Sequence, residues 1–251
     1  MMDAALHAGL GWTVAWLIVA ASFATSFITA AFGIGGGAAL LAILASLVPP
    51  AALIPVHGLV QLGSNVGRAA IMFRYRDQSV LIPFSIGALI GVALGGSVVV
   101  QLPPHVIQIG VGLFVLWSVL AKPPAFMRKS AAIAGTFSSF LTMFFGGTGP
   151  FVAAFVKSLG HPRMTHVATH AMLMTVQHLL KTIAFGFLGF AFGEWLPLIG
   201  AMVASGFLGT VVGKHVLARI DEGKFKLALN TILIVLSLRL IWAGGTQFLG
   251  Y

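Results

Sequence analysis

The chain has 251 residues, 59% of them hydrophobic and only 8% charged, with a mean hydropathy of +1.04 and a net charge of +9. Soluble domains carry about a quarter charged residues, so this balance excludes one and predicts an all-α, multi-pass integral membrane protein. With no cysteine in the chain, disulfides, thiolate catalysis and cysteine metal sites are excluded as well.

Met1–Gly11 holds Asp3 and no Lys or Arg, unlike the basic start of a secretory signal. The apolar run 12–32 is long enough to span and is expected to be a retained first helix. Further apolar segments follow at 36–48, 52–73, 80–101, 104–121, 130–146, 149–159, 163–192, 195–213 and 225–244. Segments 36–48 and 149–159 are too short to cross as helices alone. Each follows a glycine-rich break, Gly33-Ile34-Gly35-Gly36-Gly37 in one half and Gly146-Gly147-Thr148-Gly149-Pro150 in the other.

A polar stripe occurs twice. The first copy is His57, Gln61, Ser64, Asn65 and Arg68; the second is His170, Gln177, His178 and Lys181. Steps of three, four and eight residues put each stripe on one helix face. Polar and ionisable groups in a membrane face a protein interior or a water-filled path. His57–Asn65–Arg68 and His170–His178–Lys181 share their spacing at an offset of 113 residues. The same offset carries Gly36 to Gly149, Gly87–Ile90 to Gly200–Val203, and Gly96–Val99 to Gly209–Val212. An internal repeat is therefore expected, with repeat one near 12–121 and repeat two near 130–244. The two lie in a single transmembrane domain over 1–251. Each repeat holds five segments, and if all five cross, the repeats have inverted topology.

The basic residues test that topology. With ten crossings, Arg74, Arg76, Lys122, Arg128, Lys129, Lys157, Arg163, Lys214, Arg219, Lys224 and Lys226 share one side, which the positive-inside rule makes cytoplasmic. The other side has no Lys or Arg. If the two short segments instead return to their own side, the basic residues divide five against six. The ten-crossing arrangement in a plasma (bacterial inner) membrane, with both termini outside, follows. The net charge thus belongs to membrane orientation and does not indicate nucleic acid.

A short helix beginning inside the membrane presents free N–H groups and the positive end of its dipole. Transporters with inverted repeats use such ends to hold anions. Gly36, Gly37, Thr148 and Gly149 are the candidate backbone donors. His57, Gln61, Asn65, His170, Gln177 and His178 are candidate side-chain donors, and Arg68 and Lys181 candidate counter-charges. No Asp or Glu lies deep in any segment; Glu194 sits at a helix end, and Asp77 in a loop cluster with Arg74 and Arg76. Buried cations without protein anions favour an anionic ligand. For Arg68, near the cytoplasmic end, snorkelling to the interface is the alternative. Arg239 has no mate in the repeat and is assigned a structural role. No cofactor, metal site or enzymatic nucleophile–base set is expected.

Phe32-Gly33-Ile34-Gly35-Gly36-Gly37, repeated more loosely as Phe145-Gly146-Gly147-Thr148-Gly149-Pro150, resembles the sulfite exporter TauE/SafE family of membrane permeases. The resemblance covers nearly the whole chain. It implies an inner-membrane permease for sulfite, an organosulfonate such as sulfoacetate, or a related sulfur anion. Thr148 and Pro150 depart from the family's glycine pattern. The expected partners are this small anion and the lipid bilayer, with proton or sodium as the ion if transport is coupled; a coupled proton would ride on His57, His170 or His178, and a uniporter driven by the membrane potential is equally allowed. The alternative is an anion channel lined by the same cations.

Tags on both termini are expected to be reachable by impermeant reagents on intact cells. Labelling of either tag only after permeabilisation would overturn the ten-crossing arrangement.

Overall fold

The structure, a computed structural model, describes residues 7–32, 35–99, 103–216 and 222–249. Gly33, Ile34, Asp3 and Arg219 of the sequence analysis lie outside them. The described residues form helices and no strand. In chain order these are α1 Trp12–Phe32, α2 Gly36–Ala45, α3 Pro50–Ile71, α4 Leu81–Val99, α5 Pro104–Leu120, α6 Ala131–Phe145, α7 Gly149–Ser158, α8 Arg163–Phe187, α9 Leu196–Val216 and α10 Glu222–Leu249. Short 3-10 turns lie at Phe73–Tyr75, Ala125–Arg128 and Phe192–Trp195.

The ends follow from the sequence. Pro50 and Pro104 stand at first helical positions, where a missing N–H costs nothing. Ser130 caps α6 by accepting from the Ala132 amide at 3.2 Å. Four stretches, Trp12–Ala30, Leu81–Val99, Phe192–Gly213 and Leu229–Leu249, are long and apolar enough to cross a membrane. Helices α3 and α8 have 22 and 25 residues but carry the polar stripes. The short helices α2 and α7 have 10 residues each and begin at Gly36 and Gly149, the mates assigned by the 113-residue offset.

The packing divides into two main cores. One joins α1, α2, α3 and α5 with α9 and α10, through residues such as Ile18, Leu41, Leu53, Val115, Met202 and Leu240. The other joins α4 with α6, α7 and α8, through Phe84, Ala134, Phe155 and Leu173. Each half thus lends its fourth helix to the core of the other. Helix α1 packs along α9 and α6 along α4, while α3 meets α8 and α5 meets α10.

Those fourth helices are held at backbone distance. A Cβ on Gly91 would overlap the Thr136 carbonyl, and one on Gly87 the Ala132 carbonyl. On the opposite side, Gly209 meets the Phe23 carbonyl, and the Ser205 hydroxyl donates to Val19 O at 2.9 Å. Phe23 is the offset mate of Thr136, so Gly209 stands where Gly91 stands. The offset had assigned Ala204 to Gly91 and Gly209 to Gly96. Gly200, its expected counterpart of Gly87, is exposed with nothing near its Cβ position. The packing register of α9 is therefore five residues later than the sequence offset predicts, because close helix approach selects where small residues meet carbonyls.

Two contacts tie the basic connections to one end of the bundle. The Asp77 carboxylate accepts from His161 at 2.9 Å, joining the connection after α3 to the one between α7 and α8. The Ser158 hydroxyl donates to Arg128 O at 3.4 Å, joining the α5–α6 connection to the end of α7. Asp77 also accepts from the Ser79 amide and hydroxyl, and its own amide donates to the buried Thr169 hydroxyl at 2.9 Å. The loop cluster expected around Asp77 is thus a tie between the two halves. The Ser79 hydroxyl, followed by its amide and His161, holds the Asp77 carboxyl below the usual range against a smaller opposing effect of burial. Glu194 is exposed on its 3-10 turn, and Arg239 is exposed on α10.

Gly91→Leu is expected to cost about 1–3 kcal/mol or more by overpacking, seen as a lower melting midpoint in detergent. Gly200→Leu should leave the midpoint unchanged, and the reverse ranking would contradict the five-residue shift. A depressed carboxyl stabilises the fold above its ordinary pKa and loses that effect as pH falls through the folded value. Asp77→Asn should therefore lower the midpoint at neutral pH and flatten its decline on acidification; parallel acid profiles for both proteins would contradict the tie.

Candidate functional site

The two polar stripes and the two glycine breaks meet around one cavity. The space free of protein atoms there is about 430 Å³ with the open solvent at its mouth included, and the enclosed part is small. Helix α3 contributes His57, Gln61, Asn65 and Arg68, and α8 contributes His170, Met174 and His178. The first break supplies Gly35, Gly37 and Ala38; the second supplies Gly146, Gly147, Gly149 and Pro150. Thr29 of α1 completes the lining.

Backbone conformation makes both breaks. Gly35 has φ 101° and Gly146 φ 71°, in the left-handed region where glycine has no steric penalty. The chain turns sharply at each and starts a short helix. In α2 the first intrahelical amide is that of Ala39, which donates to Gly35 O at 3.0 Å. The amides of Gly36, Gly37 and Ala38 therefore lack acceptors within the helix. Helix α7 offers fewer, since Pro150 has no N–H and the Phe151 amide donates to Thr148 O. The breaks lie against each other: a Cβ on Gly147 would sit 3.7 Å from Ala38 Cα.

The histidines brace these starts. His57 Nε2 donates to Gly37 O at 3.0 Å, and His170 Nε2 donates to Gly149 O at 3.2 Å. Each therefore keeps Nδ1 for another bond, and neither Nδ1 has a partner in the structure. The His178 ring stands nearly perpendicular to His57 at 6.2 Å, also with Nδ1 unpartnered. The Gln61 amide nitrogen lies 3.4 Å from His57 Nε2 and 3.0 Å from a Cβ position on Gly37.

Arg68 does not snorkel. It is 4% exposed, and its guanidinium turns back along α3 to donate to Asn65 Oδ1 at 3.3 Å and Ser64 Oγ at 3.4 Å. Its Nε is buried with no partner. No carboxylate lies among the lining residues, so the site presents a cation and donors without a protein anion.

Four of the sequence candidates stand behind the cavity. Gly36 packs against the Thr25 carbonyl and Thr29. Gln177 accepts from the Ser138 hydroxyl at 2.9 Å and donates to Thr148 Oγ at 2.7 Å, and all three are fully buried. With Thr142 donating to Gly146 O at 3.1 Å, these bonds lock the second break. Lys181 is fully buried in a slot over Gly58, where a Cβ would come within 2.6 Å of its Cε. Its Nζ has no hydrogen-bond partner.

Thr29 and Met174 line the cavity and were not singled out in the sequence. Thr29 carried a signal, since its mate at the 113-residue offset is another threonine, Thr142. Met174 is the mate of Gln61 and carried none, because the chemistry differs.

No match is found among curated proteins or among solved structures. The family model of the sulfite exporter TauE/SafE family matches residues 18–240, spanning both stripes, both breaks and all ten helices in whole or part, and the chain belongs to that family of membrane transporters.

Proposed function

We propose that this protein is a secondary transporter that exports a small sulfur-containing anion, sulfite or an organosulfonate such as sulfoacetate, across the plasma (bacterial inner) membrane. The observation that carries this reading is the cavity itself: one guanidinium, three imidazoles and the starts of two short helices converge there without a carboxylate. A sulfite or sulfonate head presents three oxygens and negative charge, so it can accept from several directions at once. Arg68 supplies the charge. Asn65, Gln61 and His178 supply side-chain donors; His57 and His170, whose Nε2–H is given to backbone carbonyls, donate through Nδ1 once protonated; Gly37 with Gly149 supplies close backbone approach. Gly36, Thr148 and Gln177 set the geometry of the two breaks, while Lys181 adds a second cation behind the cavity.

The transport cycle is alternating access of two inverted repeats, 12–121 and 130–244, about this site within a single transmembrane domain. Helices α2 and α7 starting at offset mates supports the repeat, as does the exchange of α4 and α9 between cores. The ties from Asp77 to His161 and from Ser158 to Arg128 support ten crossings. They join basic connections that a re-entrant arrangement would separate. Both termini then face outward. Export is downhill for an anion under an inside-negative potential, by about 2.3 kcal/mol per charge per 100 mV.

A thermal-shift series tests this directly, because a ligand that binds the folded state raises the midpoint by mass action. Sulfite or sulfoacetate is expected to stabilise the detergent-solubilised protein, with matched carboxylates weaker. Arg68→Ala and His170→Ala should remove the shift while retaining expression. Stabilisation by a carboxylate or a cation, with none from any sulfur anion, would overturn the substrate reading.

A further inference from the structure

The two halves present equivalent residues in unequal states. Arg68 lines the cavity, whereas its offset mate Lys181 is sealed. Thr29 is half-buried on the cavity wall, whereas Thr142 is fully buried. Gly35 lines the cavity, whereas Thr148 is locked by Gln177. In these three pairs the member from the first half is open and its mate closed; Gly36, behind the cavity, and Gly149, on its wall, run the other way. His57 and His170, by contrast, both line the cavity, as do Asn65 and His178.

Lys181 makes the inequality costly. An ammonium group buried without an anion loses hydration that nothing in its slot replaces. The slot nevertheless fits the side chain: Gly58 leaves room for the Lys181 stem, and its mate in the second half is Ala171. The lysine is therefore stored beside the cavity, one residue from His57 on α3 and one turn beyond His178 on α8.

We propose that Arg68 and Lys181 hold the anion in succession. Arg68 holds it in the access state of this structure, and Lys181 leaves the Gly58 slot to hold it in the opposite state, as Thr142 opens and Thr29 closes. The inference rests on the alternating-access reading above and adds the identity of the residues that change places. The central polar residues, His57, His170, Asn65 and His178, face the cargo in both states. Ala171 offers Arg68 no slot like that of Gly58, so the two states are unequal in energy even without cargo.

The cysteine-free chain makes the test direct, since any introduced thiol is the sole one. Thr29→Cys, Arg68→Cys, Thr142→Cys and Lys181→Cys would each be treated with an impermeant trimethylammonium thiosulfonate, in right-side-out and inside-out vesicles. The first two are expected to react from one face. The second two should react from the opposite face, slower by about tenfold or more because a minor state exposes them. With native Lys181, Gly58→Ala should slow labelling of Thr29→Cys and speed that of Thr142→Cys. Adding Lys181→Ala to Gly58→Ala should restore the original rates, which a general loss of fold would not do. If Gly58→Ala does not fold, the sidedness of the four single variants still decides.

Labelling of all four from one face, or no reaction of Lys181→Cys and Thr142→Cys from either, would overturn the proposal. These rates are read without cargo. Failure of sulfonates to stabilise the protein would count against the substrate and leave the exchange standing. The exchange can likewise fail while sulfonate binding at Arg68 persists.

Discussion

A polar group inside a bilayer has no water to fall back on, and every feature of this site answers to that constraint. Along its two polar stripes the chain places two cations, three histidines and several amides. Protein partners satisfy some of them: Gln177 is closed by Ser138 and Thr148, and the Nε2 atoms of His57 and His170 by backbone carbonyls. The rest, including Arg68 Nε, Lys181 Nζ and the histidine Nδ1 atoms, have no bond in the structure. Arg68 and Lys181 bring donor capacity and positive charge, and that selects an anion as the complementary cargo; the Nδ1 atoms of His57 and His170 are acceptors until the ring is protonated and donors afterwards. The short helices serve the same end. Their starts would be unaffordable against lipid, and each lies on the cavity.

Much of this was legible in the chain. Helix starts at Gly36, Gly149 and Arg163 fall within a residue of the expected segments, because glycine breaks and proline mark them directly. Eight of the twelve candidate residues line one cavity, because helical spacing fixes which side chains share a face. What escaped was tertiary. Spacing puts Lys181 on the stripe but says nothing of Gly58 on the facing helix, whose missing side chain admits the lysine. The stripe also shows Gln177 without revealing that Ser138 and Thr148 consume its amide.

The register of α9 escaped for a related reason. Glycine pairs such as Gly96 and Gly209 align by sequence, yet packing is decided by which residue meets a carbonyl on the neighbouring helix. Phe23 and Thr136, paired by the 113-residue offset, meet Gly209 and Gly91. Extra chain between α8 and α9 absorbs the difference, partly as the longer α8, with 25 residues against the 22 of α3.

That extra chain makes the two ends of the molecule respond to different variables. At one end the halves are joined by Asp77 and His161, a contact between ionisable side chains about three-quarters buried. The positions equivalent to those two are Phe190 and Val48, which share the apolar core with Trp195 of the 3-10 turn after α8. Acidification weakens the first junction by protonating the Asp77 carboxylate, whereas cooling weakens the second. Acid and cold therefore act on opposite ends of the bundle, and a loss of stability with either would carry the signature of the end it loosens.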